Sequence, residues 1–130
     1  MRSTLLLLSC LSFLVMSHSF AESPGKVKTE YIITDQIVTG VSAAIQPNCM
    51  HKTFQGIGSV STSTGSAAID LEVSNDGVNY KSLNTFSLTL GTVVTSSVYA
   101  SSAPYRYLRS NVTAISGTNA KVSLIIGCQY

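Results

Sequence analysis

The sequence predicts an all-β domain: an antiparallel β-sandwich or jelly roll of about eight strands, preceded by a cleaved signal peptide. Three observations carry that reading. Apolar and polar residues alternate strictly in several short runs, which is the period of a strand with one buried face. Clusters of Gly, Ser, Asn, Asp and Pro interrupt those runs at spacings of roughly ten residues, as they do in sandwiches. Charged residues make up only 11% of the 130 residues, and Ser, Thr, Val and Gly, the residues of pleated sheet surfaces, are abundant.

The leader comes first. Met1-Arg2-Ser3-Thr4 carries a positive charge, Leu5 to Met16 is mostly apolar, and Ser19-Phe20-Ala21 places small residues where an export peptidase cuts. The expected organisation is therefore a signal peptide over 1–21 and a single domain over 22–130. An uncleaved anchor is disfavoured by length, because a membrane span needs ~20 apolar residues. Lipid attachment at Leu7-Leu8-Ser9-Cys10 ranks below cleavage, because the apolar run continues past the cysteine. The product is expected to be secreted or periplasmic, with no stable membrane insertion after cleavage.

The exported part keeps seven of the eight basic residues and all six acidic ones, a net charge of about +1 with the basic residues scattered. No basic patch offers itself to a phosphate backbone, so nucleic acid is not an expected partner. Cys10 leaves with the leader. Cys49 and Cys128 remain as a pair in an oxidising compartment, so a disulfide is expected, with two buried free thiols as the alternative. That bond would close about 80 residues and stabilise the fold by up to ~4–5 kcal/mol.

In chain order, Glu22 to Lys28 is a polar arm and Val27 to Ile33 a first strand. Gln36 to Ile45 is a second, ended by Gln46-Pro47-Asn48, since proline cannot donate to a ladder. Thr53 to Thr62 follows, with Phe54 and a Gly56-Ile57-Gly58 step; Ser61 to Ser66 is a polar turn. Ala67 to Ser74 alternates strictly, with Ile69, Leu71 and Val73 on one face and Asp70 and Glu72 on the other. Ser74-Asn75-Asp76-Gly77 reverses the chain, because Asn, Asp and Gly tolerate positive φ. The strand Val78 to Leu83 completes a hairpin around which the rest is expected to pack. Asn84 to Leu90 presents Phe86, Leu88 and Leu90. Val93 to Ala100, then Tyr105 to Ile115 with Leu108, Val112 and Ala114 on one face, come next. Ser116 to Asn119 is a turn before Ala120 to Cys128, where Val122, Leu124, Ile126 and Cys128 share parity.

Two of these stretches, EVSNDGVNYKSL and SSAPYRYLRSNVTAISGTNAKVSLIIG, resemble a β-sandwich pattern of phage and prophage virion proteins. More loosely, the Ser74–Tyr80 hairpin followed by the Arg106-Tyr107-Leu108-Arg109 strand is similar to the discoidin-like, galactose-binding jelly rolls. The likeness spans about half the chain, from Ala67 to Gly127. It implies a structural, adhesion or sugar-binding module rather than a catalyst. The chain departs from the sugar-binding pattern in having no tryptophan, with Tyr80 where tryptophan is frequent.

Candidate chemistry is sparse. His51 is the one histidine after the leader and sits near Cys49, but a nucleophile pair lacks a third orienting group. One histidine and two cysteines fall short of a zinc set, and no motif calls for a cofactor. Asp70, Glu72 and Asp76 are a weak calcium candidate, against a solvated strand face and a turn aspartate. Tyr105, Tyr107 and Arg109 share strand parity opposite to Leu108, with Tyr99, Arg106 and Tyr80 nearby in the pattern. Such an aromatic and arginine face serves a protein interface or grips a sugar ring. In the alternative, one tyrosine enters the core and Arg109 pairs with Asp70 or Glu72. Asn111-Val112-Thr113 is a glycosylation sequon inside a strand. The expected function is non-catalytic: a structural or surface-interaction subunit contacting other protein subunits or cell-surface glycans, with self-association open. The alternative is a carbohydrate-binding module of the galactose-binding-like type.

Overall fold

The computed structural model describes residues 25–130, and the leader expected over 1–21 lies outside the described residues. Eight strands are present: β1 (Val27–Gln36), β2 (Gly40–Val41), β3 (His51–Ser59), β4 (Thr62–Ser74), β5 (Lys81–Leu90), β6 (Thr95–Ser101), β7 (Tyr107–Thr118) and β8 (Lys121–Gln129). They form two four-stranded antiparallel sheets, ordered β1-β8-β3-β6 and β2-β7-β4-β5. The pairing is nested: β1 with β8, β2 with β7, β3 with β6, β4 with β5. The chain is one long antiparallel hairpin, reversed at the β4–β5 turn and rolled so that its arms fall alternately in the two sheets.

Alternation builds the core. Ala67, Ile69, Leu71 and Val73 of β4 face Phe54 of β3 and Val122, Leu124 and Ile126 of β8, all buried, with Cys128 at the margin. Each fully buried Val, Leu, Ile or Phe side chain contributes roughly 1.5–3 kcal/mol. Gly56 and Gly58 lie on the inner face of β3 because larger residues from the facing sheet need their space. A Cβ at Gly56 would sit 3.0 Å from the Phe86 ring, and one at Gly58 2.7 Å from Leu90.

Five expectations need correction. The strand expected over Gln36–Ile45 reduces to Gly40–Val41 and a single bridge from Ile45 to Leu108. Here the chain crosses between sheets, and the Gln36 amide folds back onto the carbonyls of Val38 (2.9 Å) and Gly40 (3.4 Å). The turn expected over Ser61–Ser66 is shorter, because β4 already begins at Thr62; a register shift before Ser66 and a positive φ of 61° at Ser63 absorb the turn-forming residues. Val78–Leu83 and Asn84–Leu90 are not two strands. Lys81–Leu83 and Asn84–Leu90 run together as β5, with Val78–Tyr80 left in the loop before it; the register of β5 slips at Leu83, so the inward set changes parity from Leu83 to Phe86, Leu88 and Leu90. A similar slip at Thr113 turns Ala114 outward and packs Ile115 against the core instead. Finally, Ser116 to Thr118 continue β7, and the chain crosses to the other sheet through Asn119 and Ala120.

Candidate functional site

Nested pairing gathers the first residues of β1, the last of β8, and the β2–β3, β4–β5 and β6–β7 loops at one end of the sandwich. Most of the candidate residues lie there. The Cys49–Cys128 disulfide closes this end, joining the β2–β3 loop to β8 with Cα atoms 5.6 Å apart. The Tyr130 amide, donating to the Lys26 carbonyl at 3.4 Å, holds the two ends of the described chain together.

The β4–β5 loop is built around Asp76. Its carboxylate accepts from the amides of Val78 (2.9 Å) and Asn79 (2.8 Å), from the Asn79 side chain (2.7 Å) and from the Ser74 hydroxyl (2.7 Å). Those donors, the Asn79 side chain foremost, hold its pKa well below the usual carboxylate range. The same hydroxyl accepts from the Gly77 amide at 3.0 Å. Gly77 has φ +76°, and a Cβ there would lie 3.3 Å from the Tyr107 ring. The loop is thereby pressed onto β7, where Asn75 also accepts from the Arg106 amide at 3.4 Å.

On the outer face of the β2-β7-β4-β5 sheet, Arg109 Nε donates to Glu72 at 2.6 Å while its guanidinium lies over the Tyr80 ring, 3.8 Å from the centroid. Asn111 completes the group, donating to the other Glu72 oxygen at 3.1 Å. Asp70 accepts from Thr85 at 2.6 Å. The pairing of Arg109 with Glu72, open in the sequence, is the arrangement present. It leaves the guanidinium partnered on its edge and its face. Tyr107 and Arg106 adjoin this group, with the Arg106 guanidinium 5.6 Å from the Tyr107 centroid.

The structure brings together Tyr80, Arg106, Tyr107 and Arg109, but not all six candidates. Tyr99 lies on β6 in the other sheet, facing inward and stacked 6.3 Å from Phe54. Tyr105 precedes β7 and is half-buried against the core. Asp70, Glu72 and Asp76 are each held by their own donors, and no group of three acidic, His or Cys side chains among the described residues has metal-binding geometry. His51 points to the exposed outer face of β3, and its neighbour Cys49 is spent in the disulfide, so the two form no nucleophile pair.

Lys52 escaped the sequence reading. It shares parity with Phe54, Gly56 and Gly58, the inward set of β3, and is only 5% exposed. That parity was the available signal. The Lys52 ammonium donates to the Cys49 carbonyl at 2.8 Å. Burial pushes its pKa down. It borders a groove of about 500 Å³ shared with Gln46, Asn48, Tyr105 and Arg106.

No family model and no curated protein matches the chain. Among solved structures, it is similar to the PBSX exported protein XepA, with a TM-score of 0.48 and 11% sequence identity. The likeness covers 78% of this chain and 37% of XepA, so the chain spans little more than a third of that protein's length.

Proposed function

We propose that this chain is an exported, non-catalytic jelly roll that serves as a structural or surface-interaction subunit and assembles through β6. The nested pairing of its strands is the jelly-roll scheme, a scaffold that presents loops and sheet edges as contact surfaces. One observation carries the assembly reading: among the described residues, β6 is an open edge with nothing to protect it. Sheet edges display unpaired amides and carbonyls, and proteins that stay monomeric blunt them with charge, proline or bulges. At the opposite edge, β1 carries Lys28, Glu30 and Asp35 and two register shifts. In the other sheet β5 carries Lys81 and a bulge, and β2 has two residues. β6 reads TSSVYAS, with no charge, no proline and no register shift against β3, and its central Val98 is 66% exposed.

A second copy fits this edge, because two β6 strands can pair antiparallel about a two-fold axis near Val98 and continue the sheet across both molecules. Multi-angle light scattering of the disulfide-bonded protein is expected to give a defined oligomer. Val98→Lys should shift it to monomer while leaving the far-ultraviolet dichroism unchanged. A wild-type protein that stays monomeric from micromolar to millimolar concentration overturns the assembly reading.

A further inference from the structure

We infer that the groove at the disulfide end is a binding site for a small carboxylate, held between the buried Lys52 ammonium and the exposed Arg106 guanidinium. The inference does not depend on β6, which lies at the side of the sandwich. An ammonium has three donors, and Lys52 uses one of them on the Cys49 carbonyl. Among the described residues it makes no ion pair: the three present are Lys28–Glu30, Arg109–Glu72 and Lys121–Asp35. Lys52 is 5% exposed and its ammonium has a single neutral acceptor, so the charge is poorly solvated, and cations so placed are ordinarily paired. This one is inward on β3, its end bordering an open groove.

The lining matches an anion with a polar body. Among the described residues, two cations and no carboxylate line the groove. Gln46 and Asn48 offer amide donors and acceptors suited to hydroxyl or amide groups, and Tyr105 offers a ring. Its volume of about 500 Å³ falls within the usual range of small-ligand sites, roughly 300–1,000 Å³. A carboxylate suits the pair, because its two oxygens can accept from the ammonium and from the guanidinium at once. Phosphate sites usually add converging backbone amides at a helix N-terminus or nest, and no helix occurs among the described residues.

The probes are sodium glucuronate and N-acetylalanine, which present one carboxylate on a sugar and on an amino acid, with glucose and inorganic phosphate as comparisons. Each is titrated into disulfide-bonded protein and followed by amide chemical shifts. At least one carboxylate should move the resonances of Asn48, Lys52 and Tyr105, and the tighter of the two identifies the source. Arg106→Ala should weaken it at least about tenfold, the loss expected for one charge-assisted hydrogen bond. Lys52→Met should abolish it. Lys121→Met, which removes an exposed cation at the other end, should leave it unchanged. If Lys52→Met does not fold, Arg106→Ala against Lys121→Met decides. The inference is overturned if neither carboxylate shifts the groove, if glucose binds as well, if phosphate binds more tightly, or if the two lysine and arginine surface variants weaken binding equally.

Discussion

Breaking the Cys49–Cys128 bond should cost the domain a large part of its stability without altering its native structure. The bond spans 79 residues of sequence. For a loop of that length the chain-entropy model gives about 4.5 kcal/mol at 25 °C. The native ends are held independently of the sulfur: β3 pairs with β8 in unbroken register from His51↔Gln129 to Ser59↔Lys121. Reduction therefore acts mainly by releasing the unfolded chain. Against a total of ~5–15 kcal/mol for a domain of this size, the loss decides whether the fold survives modest heating. Urea unfolding at 25 °C, followed by far-ultraviolet dichroism with and without reductant, should place the reduced midpoint roughly 2–3 M lower. The slope against urea should rise, because an uncrosslinked chain exposes more surface. Cys49→Ala/Cys128→Ala should behave like the reduced protein. Coincident oxidised and reduced midpoints would refute the reasoning, since the sulfur link would then be redundant with residual order in the unfolded chain.

Three further outcomes are expected. Ser110 is fully buried on β7 and its hydroxyl has no partner among the described residues, so Ser110→Ala should leave thermal stability unchanged or raise it by up to about 1 kcal/mol; a clear loss would reveal a partner. Gly77→Ala should destabilise by about 1–2 kcal/mol in chemical denaturation, because alanine at φ +76° is strained and its Cβ meets the Tyr107 ring, whereas Gly91→Ala, with 3.7 Å to its nearest neighbour, should change little. The depressed pKa of Asp76 makes its contribution complete above the unfolded value near pH 4 and progressively lost as pH falls below it. The stability gap between wild type and Asp76→Asn should accordingly hold steady from about pH 8 to pH 5 and narrow below about pH 4; a gap independent of pH would remove the carboxylate from the loop's support.

Much of the architecture was legible because alternation reports a buried face directly. Ile69, Leu71 and Val73, and Val122, Leu124, Ile126 and Cys128, are inward as their parity requires. The sequence failed where parity breaks inside a strand. Leu83 and Phe86 look like two strands because an alternation cannot pass from an odd to an even position, yet one slipped residue in β5 performs that change. Ala114 and Ile115 exchange places for the same reason. Sheet crossings were hidden too: Ser116 to Asn119 has the residue types of a hairpin turn, but the residues after it pair with β1 and β3, not β7.

The candidate site exposes a different limit. Parity put Tyr107 and Arg109 on one outward face, but what an outward residue meets depends on the neighbouring strand. Arg109 lies beside Glu72 because β7 and β4 pair in that register, and beneath Tyr80 because the Asp76 loop folds over β7. A residue read as free to grip a ligand is thereby tied into the sheet. Lys52 reverses the case. A lysine between His51 and Thr53 reads as surface, and its position two before Phe54 puts it inside. Its side chain is long enough to place the ammonium against a loop carbonyl at the sandwich end, and with no carboxylate beside it among the described residues the charge is left facing the groove. An arginine with both partners supplied has little to offer an incoming ligand; a buried ammonium lacking a counter-ion has much to gain from one. Ligand binding at this end should therefore follow Lys52 and Arg106 rather than Arg109.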